Sequence, residues 1–274
     1  HQLTLDDAAH GRITYPREVT EQDIHDYRLC PRFGVEQGLK PDGSCKVRAV
    51  DHLSWSVAPD GKPSYYTKRQ KKEHSVNGCT VVPVKISHDH LDKLALVMKS
   101  YIGHLSILPG LFKADVNAAF RRVPLRPDHR WCAAVVYWHE GKIFIAVHIS
   151  TPFGSLSAVY NWERVGCLLS ALIRRVLHIG VVRYVDDFAA PERPETLEHA
   201  ELCVARLVRL VLGETAIEDR KLAHGMSLVW LGVQISLSEQ GFRLRPAVEK
   251  AKKCADVITL ALEQDFLSAG YAEK

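Results

Sequence analysis

The sequence contains no apolar run near the roughly 20 residues that a membrane-spanning helix needs. Its first residues, HQLTLDDAAHGR, lack the charged and apolar regions of a signal peptide. The seven cysteines occur singly, with no CxxC pair, so neither a disulfide framework nor a zinc knuckle is indicated. These absences predict an intracellular, reducing location, cytoplasm or nucleus, and no membrane partner. The first residue is not Met, which favours a segment of a longer protein.

Extreme charge is absent as well. The 274 residues carry a formal net charge of +4, with 46% hydrophobic and 25% charged residues. This mild excess of positive charge permits a polyanionic partner without requiring one. The chain is long and apolar enough to bury the core of one large domain or two modest domains.

Hydrophobic periodicity predicts an α+β fold in which an antiparallel sheet packs on helices. A helix over about 87–102 precedes the strand LFKADV, which reaches Asp115. The β-rich runs WCAAVVYW and KIFIAVHIS form a hairpin through a tight turn at 139–141. Apolar residues at helical spacing predict a long helix over 156–178. Its apolar face comprises Leu156, Val159, Tyr160, Val165, Leu168, Leu169, Leu172, Ile173 and Val176.

The second half continues this alternation. Strand VVRYV leads to Asp186 and Asp187 at a hairpin tip, followed by strand FAA and a helix that opens with Pro and acidic residues. LVWLGVQISL and GFRLR form another hairpin, and residues 246–267 form a final helix. Residues 57–76 are the most polar stretch and predict either a basic loop or a solvated linker. The cations of this stretch are Lys62, Lys68, Arg69, Lys71 and Lys72.

Two adjacent carboxylates inside an apolar segment need a compensating charge. Like charges about 4 Å apart repel by roughly 4 kcal/mol at an effective dielectric near 20. Asp186 and Asp187 are therefore candidates to bind a cation. The alternative is an exposed type I′ turn without a ligand.

Five segments resemble the motifs of reverse transcriptases, in the order that this family has. LFKADVNAAFRRVPLRPDHRW is similar to the first palm motif, TPFGSLSAVYNWERV to the second and RYVDDF to the third, while IEDRKLAHGMSLVWLG resembles the fourth and fifth. Upstream, LKPDGSCKVRAVD is similar to the basic fingers hairpin. The resemblance covers about residues 28–245.

This resemblance implies a fingers-and-palm fold with an antiparallel palm sheet. The fingers-like region spans 1–110 and includes the basic loop 57–76, the palm spans 111–245, and 246–274 starts a thumb or a connecting helix. The implied activity is that of an RNA-directed DNA polymerase from a retroelement, which adds dNTPs to a primer 3′-hydroxyl on an RNA or DNA template. The basic loop would contact template phosphates.

The resemblance also assigns the catalytic residues. Asp115 and Asp186 are the main ligands of two Mg²⁺ ions, with Asp187 as a supporting acid and the Val116 carbonyl as an additional oxygen ligand. Lys221 donates a proton to the departing pyrophosphate, unless it is an isolated surface lysine.

The expected nucleotide site contains an aromatic ring and a glycine turn. Phe120, five residues after Asp115, stands where the family carries a ring that excludes a ribose 2′-hydroxyl, which favours DNA synthesis. Phe153 and Gly154 are implied to lie beside the new base pair, because glycine lets the backbone approach closely. A core aromatic and a plain helix-entry turn are the alternatives.

The triphosphate needs cations. Lys40 and Arg48 are candidates, and Lys46 is a rival because the spacing of Arg48 to Asp51 departs from the family pattern. Solvated rim charges are the alternative. The primer-holding turn, or else a core strand, comprises Trp230, Leu231 and Gly232.

Other functions stay open. One is a catalytically retired reverse-transcriptase-like domain that acts as an RNA-binding or structural assembly subunit, and another is a palm-domain RNA polymerase. His88 and His90 flank Asp89, which suggests a metal site, but no third ligand stands at helical spacing with them. Surface or capping roles are therefore favoured for these histidines.

Overall fold

The computed structural model describes residues 1–39, 43–56, 74–82 and 85–266. Lys40 and the five cations predicted in the loop 57–76 lie outside these residues. The strands include β1 (Arg17–Glu18), β2 (Leu29–Leu39), β3 (Cys45–Asp51), β4 (Gly110–Asp115), β5 (Ala134–His139), β6 (Lys142–Val147), β7 (Val182–Tyr184), β8 (Asp187–Glu192), β9 (Ala223–Gly225), β10 (Ser227–Trp230), β11 (Val233–Ser238) and β12 (Gly241–Pro246). The helices include α1 (Gln2–Ala9), α2 (Glu21–Asp26), α3 (Leu91–Leu105), α4 (Leu156–Val176), α5 (Leu197–Leu212) and α6 (Val248–Gln264).

The chain divides into two compact units, each built from two separate stretches of sequence. Unit 1 comprises His1–Ser87 and Ala118–Cys167, and unit 2 comprises His88–Asn117 and Leu168–Lys274. The mixture of helices and sheets confirms the predicted α+β class. The assignment of fingers-like, palm and thumb regions to 1–110, 111–245 and 246–274 stays a prediction.

Unit 1 is organised around a five-stranded sheet with the strand order β1-β6-β5-β2-β3. β5 and β6 form the predicted hairpin, and Glu140 and Gly141 in its turn have φ of +48° and +81°. Positive φ at both central residues is the type I′ pattern, whose twist matches that of the strands. β2 pairs antiparallel with β3 and parallel with β5. One core cluster of the unit consists of Ala8, Ile13, Cys30, Leu53, Val135 and Ala146.

Unit 2 contains a four-stranded antiparallel sheet, β7-β8-β4-β9, and a three-stranded sheet, β10-β11-β12. A shared core joins these sheets to α3, because apolar side chains of all three elements are buried together. This cluster consists of Leu94, Met98, Leu111, Val182, Ala189, Leu228, Trp230, Ile235 and Leu237. The core therefore holds β4 and β8 side by side, and these two strands carry the predicted acidic residues.

The long helix predicted over 156–178 is confirmed as α4, but its buried face is narrower than expected. The buried positions form one stripe at helical spacing: Ala158, Trp162, Gly166, Leu169, Ser170 and Ile173. Leu168, predicted on the same apolar face, is 52% exposed, whereas Leu169 is fully buried, and the predicted face residues Leu156 and Val176 at the two ends of the helix are exposed as well. The prediction was wrong for Leu168 because consecutive residues on a helix point about 100° apart.

Two predicted elements near the C-terminal end differ from the structure. The run LVWLGVQISL is not one hairpin arm but two strands, β10 and β11, because Leu231 and Gly232 form a turn between them. The last helix does not start at Pro246, which ends β12, but at Val248. Within the ranges that the structure describes, no helix has the length and apolar character needed to cross a membrane.

Leu169→Ala is expected to destabilise the protein by about 2–5 kcal/mol, because it leaves a cavity in a closed core. Leu168→Ala is the matched control, since it removes the same atoms one position away at an exposed site, and it should change stability by about 0.5 kcal/mol or less. Urea unfolding followed by circular dichroism measures both values. Equal losses in the two variants would contradict the buried stripe.

Candidate active site

The centre of the candidate site is a pair of carboxylates on neighbouring strands of unit 2. β4 ends at Asp115, β8 begins at Asp187, and these two residues are direct antiparallel partners. Side chains of directly opposite residues lie on the same face, with Cβ atoms about 4.5–5.5 Å apart. The backbone N–H of Val116 donates to the carbonyl of Asp186 at 3.0 Å, which ties the end of β4 to the β7-β8 turn.

The turn between β7 and β8 contains Val185 and Asp186. Val185 has a φ of +55°, whereas Asp186 is not in the left-handed region. This φ pattern is that of a type II′ turn, in which glycine is favoured at the first central position, and not the type I′ turn considered from the sequence. A β-branched residue is strained there. Arg183, which is buried, donates to the Val185 carbonyl at 2.6 Å and supports this conformation.

Negative charge is concentrated at this site. Burial raises the pKa of Asp187 to about 6, and the charges of Asp115 and Asp186 add to the shift against the opposing charge of Lys113. Burial also raises the pKa of Asp186, with a further contribution from Asp115, while Lys221 and Arg183 oppose it. Burial is the larger cause of both shifts, and repulsion between the neighbouring carboxylates adds to it.

Lys221 supplies positive charge to this site. Its Nζ lies 3.2 Å from a carboxylate oxygen of Asp115 and 3.4 Å from Glu218. Partial burial lowers the pKa of Lys221, but the hydrogen bond to Asp115 and the charges of Asp115 and Glu218 outweigh it, so the pKa is raised. Lys221 is therefore not an isolated surface lysine, and its ammonium group is held in the protonated form.

The donor set suits a hard divalent cation in its chemistry. Carboxylate and carbonyl oxygens are the ligands that Mg²⁺ prefers, and a cation would offset both the burial of the charged carboxylates and their mutual repulsion, which together raise the pKa values of Asp186 and Asp187. The arrangement of these ligands fits a metal ion only in part. Over the described ranges, no group of three or more His, Cys, Asp or Glu side chains is arranged to hold a metal ion. In this conformation the ammonium of Lys221 contacts Asp115.

The predicted primer turn is also in unit 2. Leu231 and Gly232 have φ of +51° and +73°, a type I′ pattern between β10 and β11. Trp230 is 1% exposed and belongs to the core. The segment is thus both a tight turn and, at Trp230, a core strand.

The histidines near α3 surround a salt bridge. Asp89 accepts from Lys93 and from Arg174, and the rings of His88 and His90 pack against Tyr184. His90 occupies the N-cap position of α3 without a side-chain capping bond.

Unit 1 brings together the predicted nucleotide-binding residues that the structure describes. The rings of Phe120 and Phe153 meet edge to face, with centroids 5.3 Å apart, and the Arg48 guanidinium lies 5.9 Å from the Phe153 centroid. Lys46 and Arg48 are two residues apart on β3 and so point to the same face. Both line a cavity of about 300 Å³ together with Phe153. The structure therefore leaves both Lys46 and Arg48 as candidates to bind the triphosphate.

Gly154 makes a close backbone contact, although with the protein itself. Its φ is +87°, and a Cβ atom built on it would lie 2.8 Å from the carbonyl oxygen of Asp51. A larger residue would meet both steric and conformational barriers. The turn at Gly154 therefore rests directly on the end of β3.

A buried network in unit 1 was not predicted from the sequence. Arg32 donates to Asp7 at 2.7 Å and to Asp51 at 3.1 Å, and Arg121 lies 3.2 Å from Asp7. His148 places Nδ1 2.6 Å from an Arg121 nitrogen and Nε2 3.0 Å from the Asp51 carboxylate. A guanidinium can only donate, so Nδ1 accepts and His148 is neutral. Burial lowers the pKa of His148, in agreement with this tautomer.

Two buried guanidinium groups, those of Arg32 and Arg121, face the carboxylates of Asp7 and Asp51 around a neutral imidazole, and the Arg12 guanidinium lies 3.6 Å from Asp7 at the edge of the network. One signal in the sequence could have indicated it. His148 lies inside the apolar run IFIAVHIS, and a histidine in such a buried strand needs hydrogen-bond partners. The sequence could not show which residues these partners are, because they lie far from His148 in the chain.

Asp115→Asn is expected to lower the pKa of Asp187 from about 6, because it removes a like charge while burial persists. The measurement is an NMR titration of ¹³C-labelled carboxyl groups in metal-free buffer. Asp92→Asn, which removes a charge from an exposed position on α3, should leave the midpoint unchanged. Since the folded pKa of Asp187 lies above its unfolded value, the contribution of this group to stability should fall as the pH rises from about 4 to about 6. An unaltered midpoint in Asp115→Asn would show that the two carboxylates do not interact.

Comparisons with known proteins show which solved structures this fold resembles. No protein-family model and no curated protein matches the sequence. The foamy viral protease-reverse transcriptase in complex with an RNA/DNA hybrid matches 93% of this chain at 19% identity and a TM-score of 0.58. A second structure of the foamy viral protease-reverse transcriptase, dRH, in complex with double-stranded DNA, matches 97% of this chain at 19% identity and a TM-score of 0.59. This chain covers only 27% and 36% of those two chains. The likeness shows that the chain has a reverse-transcriptase-like fold.

Proposed function

We propose that this chain is the polymerase core of a reverse transcriptase, which extends a primer 3′-hydroxyl with dNTPs on an RNA or DNA template. The observation that carries the proposal is the pairing of Asp115 with Asp187 beside the Asp186 turn. It occurs in a chain whose fold resembles that of a protein solved with an RNA/DNA hybrid. Repulsion between the carboxylates prepares the site for cations.

The acidic residues have defined roles in this proposal. Asp115 and Asp186 hold two Mg²⁺ ions, with the Val116 carbonyl as a further oxygen donor and Asp187 as a supporting charge. When bound, the ions supply Lewis-acid stabilisation of the primer hydroxyl and of the pyrophosphate leaving group. Lys221, which Asp115 and Glu218 keep protonated, donates a proton to pyrophosphate.

The residues of unit 1 act on the nucleotide. Arg48 and Lys46, with Lys40, bind the triphosphate, since a guanidinium fork matches phosphate oxygens and a lysine adds a point charge. Phe120 excludes a ribose 2′-hydroxyl by occupying its space. The Phe153–Gly154 turn lies beside the new base pair.

The remaining assignments concern the nucleic acid. The turn formed by Trp230, Leu231 and Gly232 supports the primer end. The lysines and arginines of 57–76 contact template phosphates, a contribution that falls with increasing salt. A retroelement source and an intracellular location complete the proposal.

A second candidate function is a catalytically retired domain that binds RNA or acts in assembly. The contact of Lys221 with Asp115 favours it, as does the absence of a metal-binding group of three side chains among the described residues. Binding of an RNA/DNA template-primer without nucleotide incorporation would support this candidate over the polymerase.

Asp186→Asn is expected to reduce primer extension by at least about 100-fold, because loss of a metal-binding carboxylate removes several kcal/mol of transition-state stabilisation. The assay follows dNTP incorporation into a labelled primer on an RNA template with Mg²⁺. Asp92→Asn is the matched control at an exposed position of the same unit and should extend like the wild type. Unchanged extension by Asp186→Asn would refute the metal assignment.

Phe120→Val is expected to raise ribonucleotide incorporation relative to deoxynucleotide incorporation by about 10–100-fold, since it opens space for the 2′-hydroxyl. Competition between ATP and dATP in primer extension gives the ratio. Phe266→Val, at a phenylalanine that is 66% exposed, should leave the ratio at the wild-type value. A wild-type chain that prefers ribonucleotides would instead support a palm-domain RNA polymerase.

A further inference from the structure

The position of the Phe153–Gly154 turn determines the surroundings of two proposed nucleotide contacts. Phe153 touches Phe120 on one side, and the Arg48 guanidinium lies near the Phe153 ring. Phe153 itself is 42% exposed, so burial alone does not hold it. The turn must therefore be fixed by its backbone. Gly154 rests on the carbonyl of Asp51, but this contact limits the approach from one side only.

One side chain holds the turn through directed hydrogen bonds. Asn77 donates from Nδ2 to the Gly154 carbonyl at 2.8 Å and to Ser54 Oγ at 2.9 Å. Its Oδ1 accepts the backbone N–H of Leu156 at 2.8 Å. The partners fix the orientation of the amide, since the Gly154 carbonyl can only accept and the Leu156 N–H can only donate.

Asn77 is itself anchored on the opposite side. Its backbone N–H donates to the Leu53 carbonyl at 3.0 Å. Leu53 is buried in the core of unit 1 and follows Asp51 by two residues. Asn77 thus connects the segment after β3 to both the carbonyl of the turn and the first N–H group of α4. That N–H has no partner within the helix.

We infer that Asn77 is a positioning residue for the incoming nucleotide. By holding the Gly154 carbonyl, it sets the place of the Phe153 ring, and through this ring the places of Phe120 and Arg48. This inference rests on the proposed function. It predicts that loss of the bond to Gly154 weakens nucleotide binding and the exclusion of ribonucleotides, with little effect on the chemical step.

The decisive variant is Asn77→Asp. The carboxylate keeps the size of the side chain and the acceptor for Leu156, but it cannot donate to Gly154 and places an oxygen against that carbonyl. The KM for dNTPs should rise about 10-fold or more while kcat changes less than about 3-fold, because the lost contact stabilises the bound nucleotide equally in the ground state and in the transition state. The preference for dATP over ATP should fall by a similar factor.

Two controls isolate the bond. Ser54→Ala removes the other acceptor of Asn77 and leaves the bond to Gly154, so its KM and its preference should match the wild type. Asn161→Asp makes the same chemical change on α4 and should also behave like the wild type. Asn77→Asp kinetics that equal those of the wild type, or a loss confined to kcat, would overturn the inference.

A readout independent of activity separates this inference from the proposed function. Hydrogen exchange of the Ser155 amide, which donates to the Pro152 carbonyl across the turn, should be about 10-fold faster or more in Asn77→Asp, at a midpoint of urea unfolding close to that of Asn161→Asp. Wild-type protein that incorporates no nucleotide would refute the proposed function, and accelerated exchange would still support Asn77 as the residue that holds the turn. Unchanged exchange would refute that role whatever the activity.

Discussion

The pairing of β4 with β8 is the constraint on which the candidate site depends. Side chains alternate between the two faces of a sheet, so a slip of one residue would move Asp115 to the face opposite Asp187. The core prevents this slip, because Phe112 and Ala114 on β4 are fully buried. The buried hydrophobic residues that precede Asp115 on β4 therefore set the register that places Asp115 opposite Asp187.

The two units differ in how far their buried charges are compensated by opposite charges. The network in unit 1 pairs the guanidinium groups of Arg32 and Arg121, with Arg12 at its edge, with the carboxylates of Asp7 and Asp51, so each buried charge has an opposite charge beside it. In unit 2 the acids outweigh their neighbours, and burial with mutual repulsion raises the pKa values of Asp186 and Asp187. Removing one partner from the first network would leave a buried charge unpaired, whereas adding a cation to the second site would relieve repulsion. The charges of unit 1 therefore compensate one another within the fold, whereas the acids of unit 2 retain an excess of negative charge that Lys221 offsets only in part.

The sequence predicted correctly those elements whose conformation depends on residues close together in the chain. The turn at Glu140 and Gly141 and the long helix α4 follow from periodicity and turn chemistry, and both are confirmed. The exposure of Leu168 was not predicted, because the presence of apolar residues along a helix does not tell how wide its buried face is. The contact between Asp51 and His148, and the bonds of Asn77 to Gly154, join residues far apart in the chain. No spacing rule reports such contacts, since tertiary packing alone brings these residues together.

Backbone strain at the β7-β8 turn gives the acidic site a further property. Val185 adopts a left-handed φ that a β-branched residue rarely takes, at a cost on the order of 1–3 kcal/mol. Such a conformation persists only where the surroundings over-determine it, and here the buried Arg183 binds the Val185 carbonyl while Val116 binds that of Asp186. The same contacts that retain the strain also fix the backbone position of Asp186. A turn held from both sides keeps the backbone of Asp186 beside the ends of β4 and β8, so Asp115, Asp186 and Asp187 start from neighbouring backbone positions, and this proximity adds to the raised pKa of Asp187.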